Sequence, residues 1–218
     1  MSPNTNLLKP GVIRNTMSER CGGPMPPSGD SSPPTPILMV DENLELRQTM
    51  PEEAEEMFAV VDANREYLRE WLPWLDNTNS PDDETVFING LLEEYKKGEG
   101  VNYAIRLDGR FIGGMSLNWI DRGNRGCGVG YWLSEEFTGQ GIVTRCCGRL
   151  MDHCFDDLGI HRFVLEAATE NFASRAIAER LGMRLEGITK DREWLYDHYV
   201  DSALYAITAP EWRAHNQG

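Results

Sequence analysis

A glycine-rich turn over residues 137–144 holds the residues whose types and spacing point most directly to chemistry. Gly139 and Gly141 flank Gln140, between a predicted strand that ends near Leu133 and a predicted helix that begins near Gly141. Free main-chain N–H groups and the positive end of the helix dipole meet at such a helix start, which favours a bound anion. The pattern therefore predicts an anion site, although an ordinary strand-to-helix connection has the same glycine spacing.

Two common nucleotide-binding motifs do not fit this turn. The dinucleotide fingerprint has a third glycine, and the P-loop has Gly-Lys-Ser/Thr where this chain has Gly141-Ile142-Val143-Thr144. Neither kind of nucleotide site is predicted.

A second segment, residues 169–183, also follows a predicted strand and opens a helix. It contains Asn171, Ser174 and the run Leu181-Gly182-Met183. The two segments together resemble the motifs of the GNAT superfamily of N-acetyltransferases, and within it the RimJ/RimL group, which acetylates protein N-termini and some small amines. Glu136 departs from the family's Gln/Arg-x-x-Gly-x-Gly/Ala pattern at its first position. The family holds pyrophosphate mainly through main-chain N–H groups, so the resemblance still implies a cofactor site.

The resemblance covers roughly residues 40–207 and implies acetyl-CoA as cosubstrate. No metal is predicted, because neither the four histidines nor the five cysteines have the spacing of metal ligands. It implies an α/β (α+β) chain with the acyl-CoA N-acyltransferase fold, in which a mixed, mostly antiparallel sheet has a V-shaped split and about four flanking helices. The residues that it assigns to the cofactor are Leu133, Thr138, Gly139, Gln140, Gly141, Ile142, Val143, Thr144, Asn171 and Ser174.

Acetyl transfer from a thioester to an amine needs a neutral amine, stabilisation of charge on the carbonyl oxygen and a proton for the leaving thiolate. The resemblance implies that Ser174 gives this proton, although a serine in a first helical turn can equally well cap an N–H group. Glu193 fits the family's downstream glutamate, proposed as a base through water, although an exposed loop carboxylate would look the same. A main-chain N–H near Leu133 would stabilise the oxyanion. Some family members use a tyrosine as the acid, so the alternatives to Ser174, kept in reserve behind it, are Tyr196, Tyr199 and Tyr205.

An acceptor pocket is predicted at Trp71, Trp74 and Asp76, because aromatic rings bind an apolar stem and a carboxylate attracts an ammonium group. Core packing is the alternative for both tryptophans. The resemblance implies a primary amine as acceptor, first of all the N-terminal α-amine of a ribosomal protein. A small amine such as a polyamine, an antibiotic or a modified nucleotide is the alternative, as is an acyl-CoA-binding module without catalysis.

The elements around these motifs alternate in type. The helices are predicted from Thr49 as the cap toward Trp71, from Ser80 to Gly98, over 141–158 and over 171–181. The strands are predicted at 37–40, 44–47, 102–106, 111–117, 129–133, 162–167 and in a closing hairpin over 195–207.

Composition narrows the class of protein. The formal net charge of −14 disfavours direct binding to nucleic acid. Five cysteines without metal-ligand spacing indicate reduced thiols in a cytoplasmic protein, and no apolar run is long enough for a membrane span. Residues 1–36 are rich in Pro, Gly and Ser and are predicted to be a disordered tail before one domain at 37–218. A homodimer stays among the alternatives for the oligomeric state.

Overall fold

The computed structural model describes Pro34 and residues 36–217. The predicted tail lies outside the described residues except for Pro34 and Pro36. The carbonyl oxygen of Pro34 accepts a hydrogen bond from the Tyr95 hydroxyl at 2.9 Å, and that of Pro36 accepts one from the Gln48 N–H at 2.7 Å. The body of the domain therefore already holds the chain just before residue 37.

The described chain forms one eight-stranded sheet in the order β1-β2-β3-β4-β5-β6-β8-β7. Only β5 and β6 are parallel among these strands, and every other neighbouring pair is antiparallel, as the predicted mixed sheet requires. The strands are β1 Ile37–Met39, β2 Leu44–Gln48, β3 Val101–Leu107, β4 Arg110–Asp121, β5 Gly126–Leu133, β6 Arg162–Ala168, β7 Arg184–Leu195 and β8 His198–Thr208.

Helices cover both faces of the sheet. Successive side chains of a strand point to opposite faces of the sheet, so both faces need cover. In β3, Ile105 packs into one core with the helix at 142–152, whereas Ala104 packs into the other core with the helices at 54–63 and 81–97. The described residues form six α-helices rather than about four: α1 Ala54–Ala63, α2 Arg65–Arg69, α3 Pro81–Lys97, α4 Ile142–Asp152, α5 Phe172–Arg180 and α6 Ala209–His215. None of them is long and apolar enough to cross a membrane.

The single helix predicted from Thr49 toward Trp71 is wrong in two respects. Thr49 is buried and its hydroxyl donates to Asn102 at 3.0 Å, so Met50 takes the cap position and its N–H donates to Glu53 at 2.8 Å. The helix also breaks at Asn64, whose side-chain oxygen accepts the Glu135 N–H at 2.9 Å. Asn64 thereby joins the α1–α2 break to the chain just beyond β5.

The two helices near the site agree better with their predictions. Ser80 caps α3, and Gly98 ends it in the left-handed region at φ 70°. The predicted 141–158 helix is α4 followed by a π-helical turn at His153–Asp157, and its core-facing Cys147 and Cys154 are fully buried.

The C-terminal region differs most from expectation. β7 begins at Arg184 rather than near Leu195, because it is an edge strand whose residues 184–191 are all exposed and so lack the apolar alternation of a half-buried strand. α6 was not predicted, although its start carries a recognisable signal. Glu211 accepts hydrogen bonds from the Thr208 N–H at 2.8 Å and from its hydroxyl at 2.6 Å.

The V-shaped split lies between the two parallel strands. Gly126 to Val129 of β5 pair with Arg162 to Leu165 of β6, and the pairing stops there. Beyond this point β5 stays with β4 as far as Leu133, whereas β6 follows β8 as far as Ala168. The strands therefore diverge toward their carboxyl ends and open a gap within the sheet.

Candidate active site

The glycine turn after β5 has the geometry of an anion cradle. Gly139 and Gly141 have φ angles of 73° and 70°, in the left-handed region that glycine adopts without strain. A Cβ at either position would meet no atom within 4 Å, so open space lies before the turn. The Arg145 N–H bonds the Gly141 carbonyl at 3.0 Å as α4 begins. The N–H groups of residues 142–144 precede that bond and have no intrahelical acceptor.

Two side chains of the turn hydrogen-bond the main chain just before it. The Thr138 hydroxyl donates to the Glu135 carbonyl at 2.8 Å, and the Gln140 amide donates to the Glu136 carbonyl at 3.1 Å. The Glu136 carboxylate, the departure from the family pattern, pairs with Arg110 at 2.6 Å. The negative charge beside the cradle therefore has a cationic partner on β4.

The main chain of β5 faces the gap at Tyr131 and Leu133. The Ser134 N–H bonds the Ile112 carbonyl of β4 at 2.8 Å. Hydrogen-bonding direction alternates along a strand, so the N–H and C=O groups of Tyr131 and Leu133 point away from β4, to the side that β6 has left. The Leu133 side chain is buried in the core, so its main chain is the part of this residue that a ligand in the gap can reach.

The start of α5 forms the other wall of the gap. Asn171 caps the helix, because its side-chain oxygen accepts the Ser174 N–H at 3.0 Å. Ser174 is therefore not the capping residue, and its hydroxyl instead lies 2.8 Å from the hydroxyl of Tyr131. Sequence reasoning missed Tyr131, although its place two residues before Leu133 in a predicted strand puts the two on one face.

The three reserve tyrosines are engaged elsewhere. The Tyr205 hydroxyl accepts a hydrogen bond from Arg175 at 3.1 Å and donates to Glu179 at 3.3 Å. The Tyr196 hydroxyl donates to the Leu72 carbonyl. Tyr199 is 59% exposed and packs edge-on against Trp194 at 4.8 Å between ring centroids. None of the three is bonded to Ser174.

Glu193 lies on β7, half-buried on the groove wall. Burial raises the pKa of its carboxyl group; the neighbouring Arg192 opposes this rise, and Glu166 adds to it. Arg192 itself pairs with Glu166 at 2.9 Å. A carboxylate with a raised pKa, facing a groove, has the properties of a general base.

The predicted acceptor residues separate into two groups. Trp71 and Trp74 are half-buried and line the groove, and Trp74 packs edge-on against Trp132 at 6.4 Å. Asp76 does not line the groove. Arg69 donates two hydrogen bonds to it, both at 2.9 Å, and this pairing lowers the pKa of the Asp76 carboxyl.

One groove connects these parts, with a volume of about 2510 Å³. That volume exceeds the roughly 300–1,000 Å³ of a drug-sized pocket, so there is room for two large reactants. The predicted site residues that line it are Trp71, Trp74, Leu133, residues 138–144, Asn171, Ser174 and Glu193.

The family model described as an acetyltransferase (GNAT) domain matches residues 43–184. The chain belongs to the GNAT acetyltransferase family. The matched span contains β5 and β6 on the two sides of the split, the glycine turn and the Asn171–Ser174 segment. The GNAT fold and the N-acetyltransferase class therefore agree with the motifs found in the sequence.

Two curated GNAT relatives match most of the chain. The putative ribosomal N-acetyltransferase YdaF of Bacillus subtilis is 32% identical over 175 residues, 79% of this chain and 95% of the relative. The ribosomal-protein-serine acetyltransferase of Escherichia coli is 30% identical over 172 residues, 79% of this chain and 96% of the relative.

Solved GNAT structures have the same fold. RimL, a ribosomal L7/L12 alpha-N-protein acetyltransferase in complex with coenzyme A, has a TM-score of 0.77 and 31% identity, covering 79% of this chain and 97% of its own. The microcin C7 self-immunity acetyltransferase MccE, in complex with acetyl-CoA and AMP, has a TM-score of 0.75 and 28% identity. The match covers 78% of this chain and 94% of the MccE chain.

Proposed function

We propose that this chain transfers an acetyl group from acetyl-CoA to the N-terminal α-amine of a protein, with a ribosomal protein as the first candidate acceptor. The observation that carries the proposal is the single groove that runs from the glycine turn past Ser174 to Glu193 and Trp74. The relatives named as ribosomal-protein acetyltransferases support the choice of acceptor.

The residues of the turn and the gap fit acetyl-CoA. The main-chain N–H groups of residues 142–144 suit its pyrophosphate, and those of Tyr131 and Leu133 suit its amide-bearing arm. Thr138, Gly139, Gln140 and Gly141 shape the cradle, and Asn171 caps the start of α5 beside the gap. Acetyl-CoA supplies an acetyl group activated as a thioester.

Ser174 and Glu193 divide the proton transfers between them. The amine must lose a proton as its nitrogen bonds the acetyl carbon, and Glu193 accepts that proton, directly or through water. The carbon–sulfur bond then breaks, and Ser174 gives its proton to the departing sulfur. Solvent exchange returns Glu193 and Ser174 to their starting states. The Leu133 N–H, which faces the gap, is our candidate for stabilising the charge that develops on the acetyl oxygen.

The acceptor end of the groove combines aromatic rings with one carboxylate. Trp71 and Trp74 provide apolar contact for the first residues of an acceptor chain. Glu193 provides the negative charge that attracts the ammonium form of the acceptor, which releases one proton to water and so becomes the neutral amine before it attacks. Asp76 has no part in the proposal, because it lies outside the groove in a pair with Arg69.

The Arg110–Glu136 pair leads to a prediction about cofactor affinity. Replacing Arg110 with Ala leaves the Glu136 carboxylate unpaired near the pyrophosphate cradle. Both side chains are more than half exposed, so we expect acetyl-CoA to bind only about two- to five-fold more weakly, and the effect to shrink in high salt. Calorimetric titration of acetyl-CoA checks this, with the Arg110→Ala/Glu136→Gln double variant as the matched control. Affinity that stays low in the double variant would show that Arg110 acts in another way.

Ser174→Ala tests the proton donor. We expect turnover to fall by about ten- to a hundred-fold while the affinity for acetyl-CoA is largely kept, the range for losing one acid–base group. Steady-state kinetics and calorimetry measure the two effects. Turnover equal to that of the wild type would remove Ser174 from the mechanism.

Glu193→Gln tests the base through the pH profile. A base works only when it is deprotonated. Because the pKa of Glu193 is raised, lowering the pH protonates it sooner than an ordinary glutamate, and activity is lost at a higher pH. We expect kcat/KM to drop by about ten- to a hundred-fold in the variant and its acidic limb to retain only the titration of the amine. Glu166→Gln is the comparison variant: removing the Glu166 charge, which helps to raise the Glu193 pKa, should move the acidic limb to lower pH while kcat/KM above that limb stays near the wild-type value. An unchanged acidic limb in Glu193→Gln would argue against the assignment.

An acceptor panel tests the function as a whole. The purified chain is incubated with acetyl-CoA and with peptides carrying ribosomal-protein N-termini, the same peptides with blocked N-termini, spermidine and an aminoacyl nucleotide. We expect thiol release that depends on a free peptide α-amine, with an acetyl group found there by mass spectrometry. Release with the small amines alone would assign the acceptor to that class, and binding of acetyl-CoA without release under any condition would leave a binding module.

A further inference from the structure

Tyr131 makes a contact across the gap that no role assigned so far explains. It stands on β5 beyond the last residue paired with β6, whereas Ser174 stands on α5, which follows β6. Their hydroxyl oxygens are 2.8 Å apart. The side chains thus connect the two walls of the gap at the depth where the strands have already separated.

The hydrogens of this pair can be assigned from the available acceptors. Each hydroxyl has one hydrogen. If Ser174 donated to Tyr131, the phenol hydrogen would have only the Ser174 carbonyl oxygen at 3.4 Å, a long and weak contact. If Tyr131 donates to the Ser174 hydroxyl oxygen, the phenol forms a good bond at 2.8 Å, and the serine hydrogen is free to point into the gap. Both arrangements keep the 2.8 Å bond between the hydroxyls, but a phenol is a stronger hydrogen-bond donor and a weaker acceptor than an aliphatic hydroxyl, so the second arrangement gives the stronger bond.

We propose that Tyr131 is a positioning residue, whose phenol donates to the Ser174 hydroxyl oxygen and so fixes the direction of the serine hydrogen toward the gap. This inference rests on the proposed function, in which that hydrogen goes to the departing sulfur. The phenol also partly compensates the negative charge that grows on the serine oxygen as its proton leaves.

The environment of Tyr131 suits a donor that keeps its own proton. Burial raises the pKa of the phenol well above its usual range and the nearby Cys147 adds to the rise, although the hydrogen bond with Ser174 opposes it in part. Tyr131 therefore stays protonated at any pH at which a protein α-amine is acetylated. Asn171 completes the arrangement, because it holds the Ser174 N–H at 3.0 Å and so fixes the serine main chain.

A double-mutant cycle tests the proposal. Tyr131→Phe removes only the phenol oxygen, and we expect kcat to fall about ten-fold, with KM for both substrates and acetyl-CoA affinity nearly unchanged. The decisive variant is Tyr131→Phe/Ser174→Ala, which should be no slower than Ser174→Ala alone, within about two-fold, because the phenol has lost the group it positions. Losses that multiply in the double variant would overturn the proposal.

Tyr205→Phe is the matched control. Its phenol also bonds residues of α5, Arg175 and Glu179, but not Ser174. We expect it to change kcat less than two-fold, and its loss in the Ser174→Ala background to equal its loss in the wild type. A Tyr131→Phe turnover as high as that of Tyr205→Phe, with Ser174→Ala still slow, would overturn the positioning role and leave the proposed function standing. Wild-type turnover in Ser174→Ala would overturn the positioning role and remove Ser174 from the mechanism, whereas the acceptor panel tests the function itself.

A second measurement does not depend on how Tyr131→Phe folds. Proton NMR of the Tyr131 hydroxyl compares the wild-type chain with Ser174→Ala. A donated, sheltered phenol hydrogen should exchange slowly with water in the wild type and at least ten-fold faster once its acceptor is removed. Equal exchange rates in the two proteins would contradict the assigned direction of the bond.

Discussion

The divergence of β5 from β6 is the constraint on which the rest of the site depends. These are the one parallel pair among the described strands, so their carboxyl ends lie at the same edge of the sheet. The segments that follow them, the glycine turn before α4 and the Asn171–Ser174 start of α5, are therefore neighbours. Because pairing stops after Val129 and Leu165, main-chain groups between these segments face a gap, where a ligand can complete hydrogen bonds that a continuous sheet would have made within itself.

Electrostatics in this site are local. The chain carries a net charge of −14, yet the proposed cofactor is itself an anion. The proposed anion site consists of main-chain N–H groups at a helix start, which do not enter the formal charge, and Arg110 pairs with the acidic side chain beside them. The acceptor end instead has a carboxylate, Glu193, whose partial burial keeps its proton affinity high. One acidic protein can thus provide an anion site and an amine site in the same groove.

The sequence predicted best what local chemistry determines. Gly139 and Gly141 have the left-handed backbone that favours glycine, and Asn171 precedes a helix that it can cap, so the turn and the start of α5 could be located from a few residues each. The V-shaped split could be expected only from family resemblance, because no local pattern states where two strands stop pairing.

Each of the misses has a physical cause that the spacing of residues along the sequence does not show. Tyr131 meets Ser174 across 43 positions of sequence, and no spacing in either segment indicates the pair. Asp76 has the negative charge that an amine-binding site needs, but its carboxylate lies outside the groove and pairs with Arg69. β7 lacks apolar alternation because it lies at an exposed edge, so sequence periodicity could not locate its start.

A crystal structure of this chain with coenzyme A tests the central claim most directly. The account predicts the pyrophosphate on the N–H groups of residues 142–144, the pantetheine arm between β5 and β6 bonded to the main chain of Tyr131 or Leu133, and the sulfur within about 4 Å of the Ser174 hydroxyl. A pyrophosphate bound away from the glycine turn, or a sulfur on the far side of β5 from Ser174, would contradict it.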